Sequence, residues 1–460
     1  GIDSVRTAMR EANEGKRRLF VTSVAGSAPP AAATGSASSS SAAVAETRHS
    51  GEVFSLACKE ELRFEVSFKH TATLELVDGK AEVFGTPLVK HRKYTFSGVH
   101  KTVFSWEGAR VRLSGEYDGA YVSSESPMTT FLNVHSTLEE LRDHAYRTDT
   151  QGPVVVLAGP VDTGKTTLSR ILTGLACRSG RTVGLVDLDL GQGQLTPPGT
   201  ISAVAMTEPF PVENEELEAT PLAYYHGHIS PGERPELFQL QVEELAAACF
   251  AKSEEDKEWK HGGLIINTCG WVDKLGLDLL KHHISAFRAS MVLVMGDDRL
   301  LANLVGQFPD TVIRKLNKPG GAVSRDTDFR INARSLRFRQ YFYGVDGTLM
   351  ASPMSFPLHE VQIFSVGGAQ APSSALPIGA TSMADPLKLI PQSITPDLKD
   401  IVLGVTHAES PDELLTASMA GVLLVTGVDL EKGLLHVRSP SPDPPPCMLF
   451  LKGTLKWMDS

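Results

Sequence analysis

Cysteine is scarce in this chain and widely scattered. Its five cysteines, Cys58, Cys177, Cys249, Cys269 and Cys447, stand far apart with no C-x-x-C pair. That argues against a disulfide framework or a zinc ribbon and for a reducing compartment. No apolar run approaches the ~18 residues needed to cross a bilayer, so no membrane partner is expected. Positive charge is in the minority. A formal charge of −10 speaks against a protein that holds nucleic acid by a bulk positive field, and any such site must be local. Residue 1 is Gly rather than Met, which leaves open a preceding segment, a cleaved signal included. What is present suits an ordinary globular chain: 42% hydrophobic and 21% charged residues, with length for about three domains of ~150 residues.

Residues 1–50 hold a short mixed-charge stretch with a basic cluster at Lys16, Arg17 and Arg18, then an Ala/Ser/Gly/Pro tract. Such a tract buries too little apolar surface to offset its ordering entropy and reads as a disordered arm. Over 51–148 the pattern changes to short alternating segments that predict a small all-β domain, among them 62–66, 93–96, 102–106 and 109–113. Segments 73–77 and 81–84 flank Asp78-Gly79-Lys80, a hairpin signal because Gly accepts the positive φ of such a turn. A helix is predicted over 136–146, with Ser136 as its N-cap. From 149 to 340 strands and helices alternate, which predicts an α/β domain with a parallel sheet covered on both faces. After 340 the alternation stops. Strands at 361–366, 421–425 and 434–437 predict a small β-rich C-terminal domain over 341–460.

The chemistry concentrates in the central domain. Gly159-Pro160-Val161-Asp162-Thr163-Gly164-Lys165-Thr166 spells G-x-x-x-x-G-K-T between an apolar strand and a helical run. That loop, from Asp162, Thr163 and Gly164 through Lys165, Thr166 and Thr167, turns backbone N–H groups toward one concavity, and the helix N-terminus adds positive potential. A polyphosphate fits there, with Lys165 on the β- and γ-phosphates and the Thr166 hydroxyl in the shell of Mg²⁺. The strand 182–186 ends in Asp187-Leu188-Asp189, two carboxylates at i and i+2 and so expected on one face. One can organise the Mg²⁺ water shell while the other takes a proton from an attacking hydroxyl. At another strand end, Asn267-Thr268-Cys269-Gly270-Trp271 carries an indole for which burial and base stacking are equally open. Gly320-Gly321 precedes Arg325, Arg330, Arg334, Arg337 and Arg339, a hinge and basic helix suited to a lid over phosphates; the alternative is a solvated helix face. Two further patterns are weak. Asn317-Lys318-Pro319-Gly320 lacks the carboxylate of the guanine-reading N-K-x-D, and the pairs His226/His228 and His282/His283 have no further ligands at metal spacing.

Taken together, G-P-V-D-T-G-K-T-T, D-x-D-x-G-Q-G, T-P-L-A-Y-Y-H-G near 220, I-N-T-C-G-W-V and V-S-R-x-x-x-F-R resemble, in order and spacing, one family. These are the eukaryotic RNA 5′-hydroxyl polynucleotide kinases that serve as the ATP-binding subunit of the pre-mRNA 3′-end cleavage factor. The segments 61–64 and 78–86 also resemble that family, and the likeness runs from about residue 52 to the end, weakest after about 370. It implies three domains, the first helping to clamp adenine. Glu61 matches the acidic adenine contact; its basic partner falls at His100 or Lys101, ungapped counting back from Trp106 selecting His100. Lys165 and Thr166 match the phosphate lysine and the Mg²⁺ hydroxyl. Asp189 matches the general base, Asp187 a further acidic position, and Gln192 belongs to the substrate side of D-x-D-x-G-Q-G. Trp271 matches the residue stacking on the first RNA base, and Arg325 and Arg330 the lid arginines. Ile331 stands where some relatives carry another arginine. The resemblance also implies ATP, a 5′-hydroxyl RNA, the cleavage-factor scaffold subunit and the tRNA splicing endonuclease as ligands and partners, and a nuclear address. Some fungal relatives keep ATP but not catalysis, so a silent scaffold subunit is the alternative; a protein-activating NTPase is a third.

Overall fold

The structure is a computed structural model that describes residues 49–213, 217, 219–345, 347–367 and 385–459; the expected arm at 1–50 lies almost wholly outside them. The first nine strands are β1 (His49–Leu56), β2 (Glu61–Val66), β3 (Ala72–Gly79), β4 (Glu82–Val83), β5 (Thr86–Pro87), β6 (Lys93–Phe96), β7 (Val99–Phe104), β8 (Ala109–Gly115) and β9 (Gly119–Ser123). They form two sheets, β1-β8-β3-β6 and β5-β4-β7-β2-β9. The alternating side chains of these strands fill one core between the sheets, where Phe64 meets Phe96 edge-on at 5.5 Å. The expected hairpin at Asp78-Gly79-Lys80 does not close. β3 belongs to one sheet and β4 to the other, so the turn crosses between layers. Gly79 is required for another reason: at φ 83 its backbone passes so close to Gly108 that a Cβ would lie 2.3 Å from that carbonyl oxygen.

Helix α1 (Met128–Thr148) leads into the central domain. It begins two turns before the expected start, and Ser136 lies inside it, its hydroxyl donating to the Leu132 carbonyl rather than capping. Phe131, Leu138 and Leu141 form the apolar stripe that packs it on the central domain. There β10 (Val154–Ala158), β11 (Val183–Asp187), β12 (Thr200–Met206), β13 (Leu222–Tyr225), β14 (Leu264–Asn267), β15 (Met291–Met295) and β16 (Val312–Leu316) make one sheet in the order β13-β12-β11-β14-β10-β15-β16. The five strands from β11 to β16 run parallel, as the buried runs of β10, β11 and β15 require. The expected parallel sheet is thus present, and β12 and β13 extend it as an antiparallel margin. Helices α2 (Lys165–Arg178), α3 (Pro235–Glu255), α4 (Lys257–Gly262), α5 (Leu275–Ala286) and α6 (Asp298–Gln307) accompany it.

The long helix α7 (Thr327–Tyr343) joins the central domain to the last one. Its N-terminal half lies over the strand ends. Its C-terminal half buries Phe338 and Phe342, which stack on Trp457 at centroid distances of 5.8 and 5.4 Å. The last domain is a second seven-stranded sheet within 352–456, antiparallel except for one parallel pair, with a hydrophobic cluster on each face. The expected strands at 421–425 and 434–437 lie inside it, in a hairpin whose register sets 424–429 against 434–438.

Candidate functional site

β10 is the middle one of the five parallel strands, and its five buried residues deliver the chain to the loop 159–164 at the sheet's carboxyl edge. Gly164, at φ 89, starts α2 with no side-chain cap, so the helix's first N–H groups are presented to the loop's concavity. Lys165 is buried, and its Nζ donates to the carbonyls of Gly159 and Pro160 at 2.8 and 2.7 Å. Burial lowers its pKa, and the neighbouring carboxylate of Asp189 acts in the opposite sense. The Thr163 hydroxyl closes the loop on the Pro160 carbonyl at 2.9 Å.

The period-two argument for the two aspartates holds only as far as Asp187, where β11 ends. Asp187 is buried behind the cleft among three donors: Gln194 N–H at 2.6 Å, Asp189 N–H at 3.1 Å and Asn267 Nδ2 at 3.1 Å. Burial, helped by the negative charge of Asp189, pushes its pKa up to about 6. Beyond it the chain turns, and Asp189 takes its direction from its own turn, with Oδ1 accepting the N–H groups of Gly191 and Gln192 at 3.0 and 3.1 Å. Asp189 lines the same cleft as Lys165 and Thr166. Burial raises its pKa, while those backbone donors and Lys165 act against the rise.

The lid covers this cleft. A Cβ on Gly321 would lie 2.9 Å from Arg63 Nε, so the glycine pair serves a close approach to the first domain. Asp326 caps α7 through the Phe329 N–H at 2.7 Å. Phe329 then packs against Phe68 and His100, with ring centroids 5.1 and 5.4 Å apart, and Arg325 lies over its ring at 5.1 Å. Arg330 bonds Asp162 of the phosphate loop at 2.7 Å. Arg334 and Arg337 follow at helical spacing, Arg337 holding the Gln194 carbonyl at 2.6 Å. Gln192 lines the cleft, and its Nε2 bonds the carbonyls of Gly191 and Arg330 at 2.8 and 3.4 Å.

At the other end of the cleft, of about 280 Å³, the wall belongs to the first domain. Glu61 is buried, and its Oε1 accepts from Arg63 Nε at 2.7 Å. In the β2–β7 register His100 lies opposite Glu65 and binds it at 3.2 Å, whereas Lys101 lies opposite Phe64 and sits over the rings of Phe84 and Phe96 at 5.4 and 5.9 Å. The two candidates thus occupy opposite faces of β7, though both line the cleft, and His100 is the one beside the lid, against Phe329. Trp271, 37% exposed, stands outside this wall, to which its neighbour Gly270 contributes. Its ring is seated between Gly232 and Gly276, where added Cβ atoms would lie 2.9 and 2.5 Å from it.

Sequence reasoning missed Asn267, Gln194 and Phe329. Asn267 carried a legible signal, an amide ending the apolar run 264–266, and Phe329 stands inside the motif V-S-R-x-x-x-F-R without a role having been read for it; Gln194 carried none. Among the described residues no cluster of His, Cys, Asp and Glu is arranged to hold a metal.

The strand, glycine loop and helix at the edge of a parallel sheet make the central domain a P-loop nucleotide-binding domain. Comparison places it more narrowly. Residues 159–344 match the model described as mRNA cleavage and polyadenylation factor CLP1 P-loop. Residues 55–145 match the N-terminal beta-sandwich domain of polyadenylation factor, and 351–459 match pre-mRNA cleavage complex II protein Clp1. The chain belongs to the Clp1 family. It is 39% identical to the polyribonucleotide 5′-hydroxyl-kinase Clp1 of Gallus gallus over 88% of this chain and 96% of that one. It is 38% identical to that of Homo sapiens, with the same shares covered. It is also 38% identical to the protein CLP1 homolog of Anopheles gambiae, over 88% of this chain and 97% of that one. The fold matches Clp1p in a wild-type Clp1p–Pcf11p complex with a TM-score of 0.78 at 20% identity, covering 89% of this chain and 99% of that one.

Proposed function

We propose that this protein is an ATP-dependent polynucleotide kinase that phosphorylates the 5′-hydroxyl end of RNA. The observation that carries this reading is the meeting of Lys165, Asp189 and Arg330 on the walls of one cleft. The names of its vertebrate relatives support it. Adenine enters at the first domain, against Glu61 and His100. The backbone N–H groups from Asp162 through Thr167 bind the phosphates, and Lys165 turns from its loop carbonyls to the β- and γ-phosphates. Asp189 accepts the proton of the RNA 5′-hydroxyl as that oxygen bonds to the γ-phosphorus and the bond to the ADP oxygen breaks. Arg325 and Arg330 neutralise the charge spread over the transferring group. Trp271 stacks on the first base, and Gln192 contacts the acceptor end.

The chain also fits a divalent cation. Thr166 Oγ1, the Asp187 carboxylate and Asn267 lie together, and the buried Asn267 Oδ1 has no hydrogen-bond partner among the described residues. Thr166, Asp187 and Asn267 would hold Mg²⁺ there, and the ion would supply neutralisation of phosphate charge. The family supports work in the nucleus with the scaffold of the mRNA 3′-end cleavage factor, and the tRNA splicing endonuclease is a second candidate partner.

The test is transfer of labelled γ-phosphate from ATP to 5′-hydroxyl RNA, to 5′-hydroxyl DNA and without acceptor. Labelled RNA is expected. Phosphate release independent of acceptor would mark an NTPase, and nucleotide binding without any turnover would mark a silent scaffold subunit.

A further inference from the structure

We infer that Asp162 is the docking post of the arginine lid, and that it discriminates nucleoside triphosphate from diphosphate by exchanging Arg330 with the γ-phosphoryl group. This deepens the ATP reading above and rests on it. Asp162 sits at φ 59, in the left-handed region. Glycine takes that conformation most readily, and Asp or Asn next. A side chain kept in such a place asks what it does. Its Oδ2 accepts two hydrogen bonds, from Arg330 Nη2 at 2.7 Å and from the Arg325 backbone N–H at 3.0 Å. Those donors come from either side of the Asp326 cap that begins α7. One oxygen of the phosphate loop therefore pins the start of the lid helix and one of its arginines together.

Arg330 stands between two carboxylates, with Asp162 in contact and Asp189 near enough to be lowered by its charge. Lys165, which marks the phosphate end of the cleft, is near both. A γ-phosphoryl group held by Lys165 arrives beside the guanidinium with more charge and more acceptor oxygens than Asp162 offers. It draws Arg330 away from the post. A diphosphate ends one phosphoryl group short and leaves the pair with Asp162 in place. The Asp162–Arg330 bond is thus common to the empty and diphosphate-bound protein, and only triphosphate binding breaks it.

The experiment measures binding of ADP and of a non-hydrolysable ATP analogue to the full chain without RNA, in wild type, D162N, R330Q and the double variant. Asn tolerates the same backbone and keeps an oxygen while removing the charge. The expected result is a preference for the triphosphate analogue over ADP that rises about three- to tenfold in D162N, and no such rise once Arg330 is gone. Equal changes for both nucleotides, or weaker triphosphate binding, overturn the inference. A second readout needs only wild-type protein: the Arg325 amide exchanges slowly when empty and with ADP, and fast exchange in both states is equally fatal. Wild-type protein that binds neither nucleotide sinks the ATP reading itself; binding of both with no selective effect of D162N sinks only the exchange.

Discussion

Asn267 joins Thr166 to Asp187: its Nδ2 lies 3.1 Å from Asp187 Oδ1 and 3.4 Å from Thr166 Oγ1. One amide thus links the loop hydroxyl to the carboxylate behind the cleft. Replacing it by Leu, of similar size, leaves Asp187 one donor short. The expected cost is about 1–3 kcal/mol of stability, read by denaturant titration, together with a higher Mg²⁺ requirement for turnover.

Asp187 makes stability depend on pH in a definite direction. Its folded pKa of about 6 lies above the 3.8 of an ordinary aspartate, so the folded state holds this proton more tightly than the unfolded chain does. The associated stability is present below pH 3.8 and is lost as pH rises to about 6. At 1.36 kcal/mol per unit that is about 3 kcal/mol. Asp187→Asn carries no such proton. Unfolding free energies of wild type and variant, measured without divalent cation between pH 4 and 7, diverge across that window; parallel curves refute the assignment.

Asp189→Asn removes the proton acceptor while retaining an oxygen for the Gly191 and Gln192 N–H groups. Turnover falls by ~10²–10⁴ with nucleotide affinity retained. Single-turnover transfer and ATP binding, measured side by side, check both halves.

The opposite faces of β7 predict different consequences for its two basic residues. His100→Ala raises the KM for ATP severalfold and leaves the fold intact. Lys101→Ala acts on stability, by about 1–3 kcal/mol, because this residue is buried with its ammonium over the rings of Phe84 and Phe96. Melting curves and KM values for the pair decide the matter, and a reversed pattern would move the adenine contact to Lys101.

Gly276→Ala places a methyl group 2.5 Å from Trp271 Cγ and must displace the indole. If Trp271 stacks on the first base, its own replacement by Ala weakens RNA binding by ~1–3 kcal/mol. Gly276→Ala then reproduces part of that loss in the KM for RNA with the KM for ATP unchanged.

Much of this was legible in the sequence because local rules govern it. The glycine loop announces its own geometry, and buried runs such as 154–158 announce central parallel strands. What escaped depends on distance. Asp78-Gly79-Lys80 has the composition of a hairpin, but which sheet β4 joins is decided by pairing with β7, some twenty residues away in sequence. Ser136 looks like a cap because nothing nearby reveals that Phe131 already lies on the same buried stripe. Asp162 reads as one more loop residue until the lid, more than 160 positions later, is seen to rest on it.

β13 is the last strand on its side of the central sheet. The final domain plugs that margin: Tyr225 Oη reaches the Val402 carbonyl at 2.7 Å, the Thr454 N–H reaches Gly227 at 2.9 Å, and Gly404 has no side chain where the Tyr225 ring lies. Cutting the chain after α7 would therefore not release a smaller catalyst. It would bare an unpaired β edge beside Phe338 and Phe342, a surface prone to self-association, so the third domain is a stopper that the nucleotide-binding sheet needs in order to stay single.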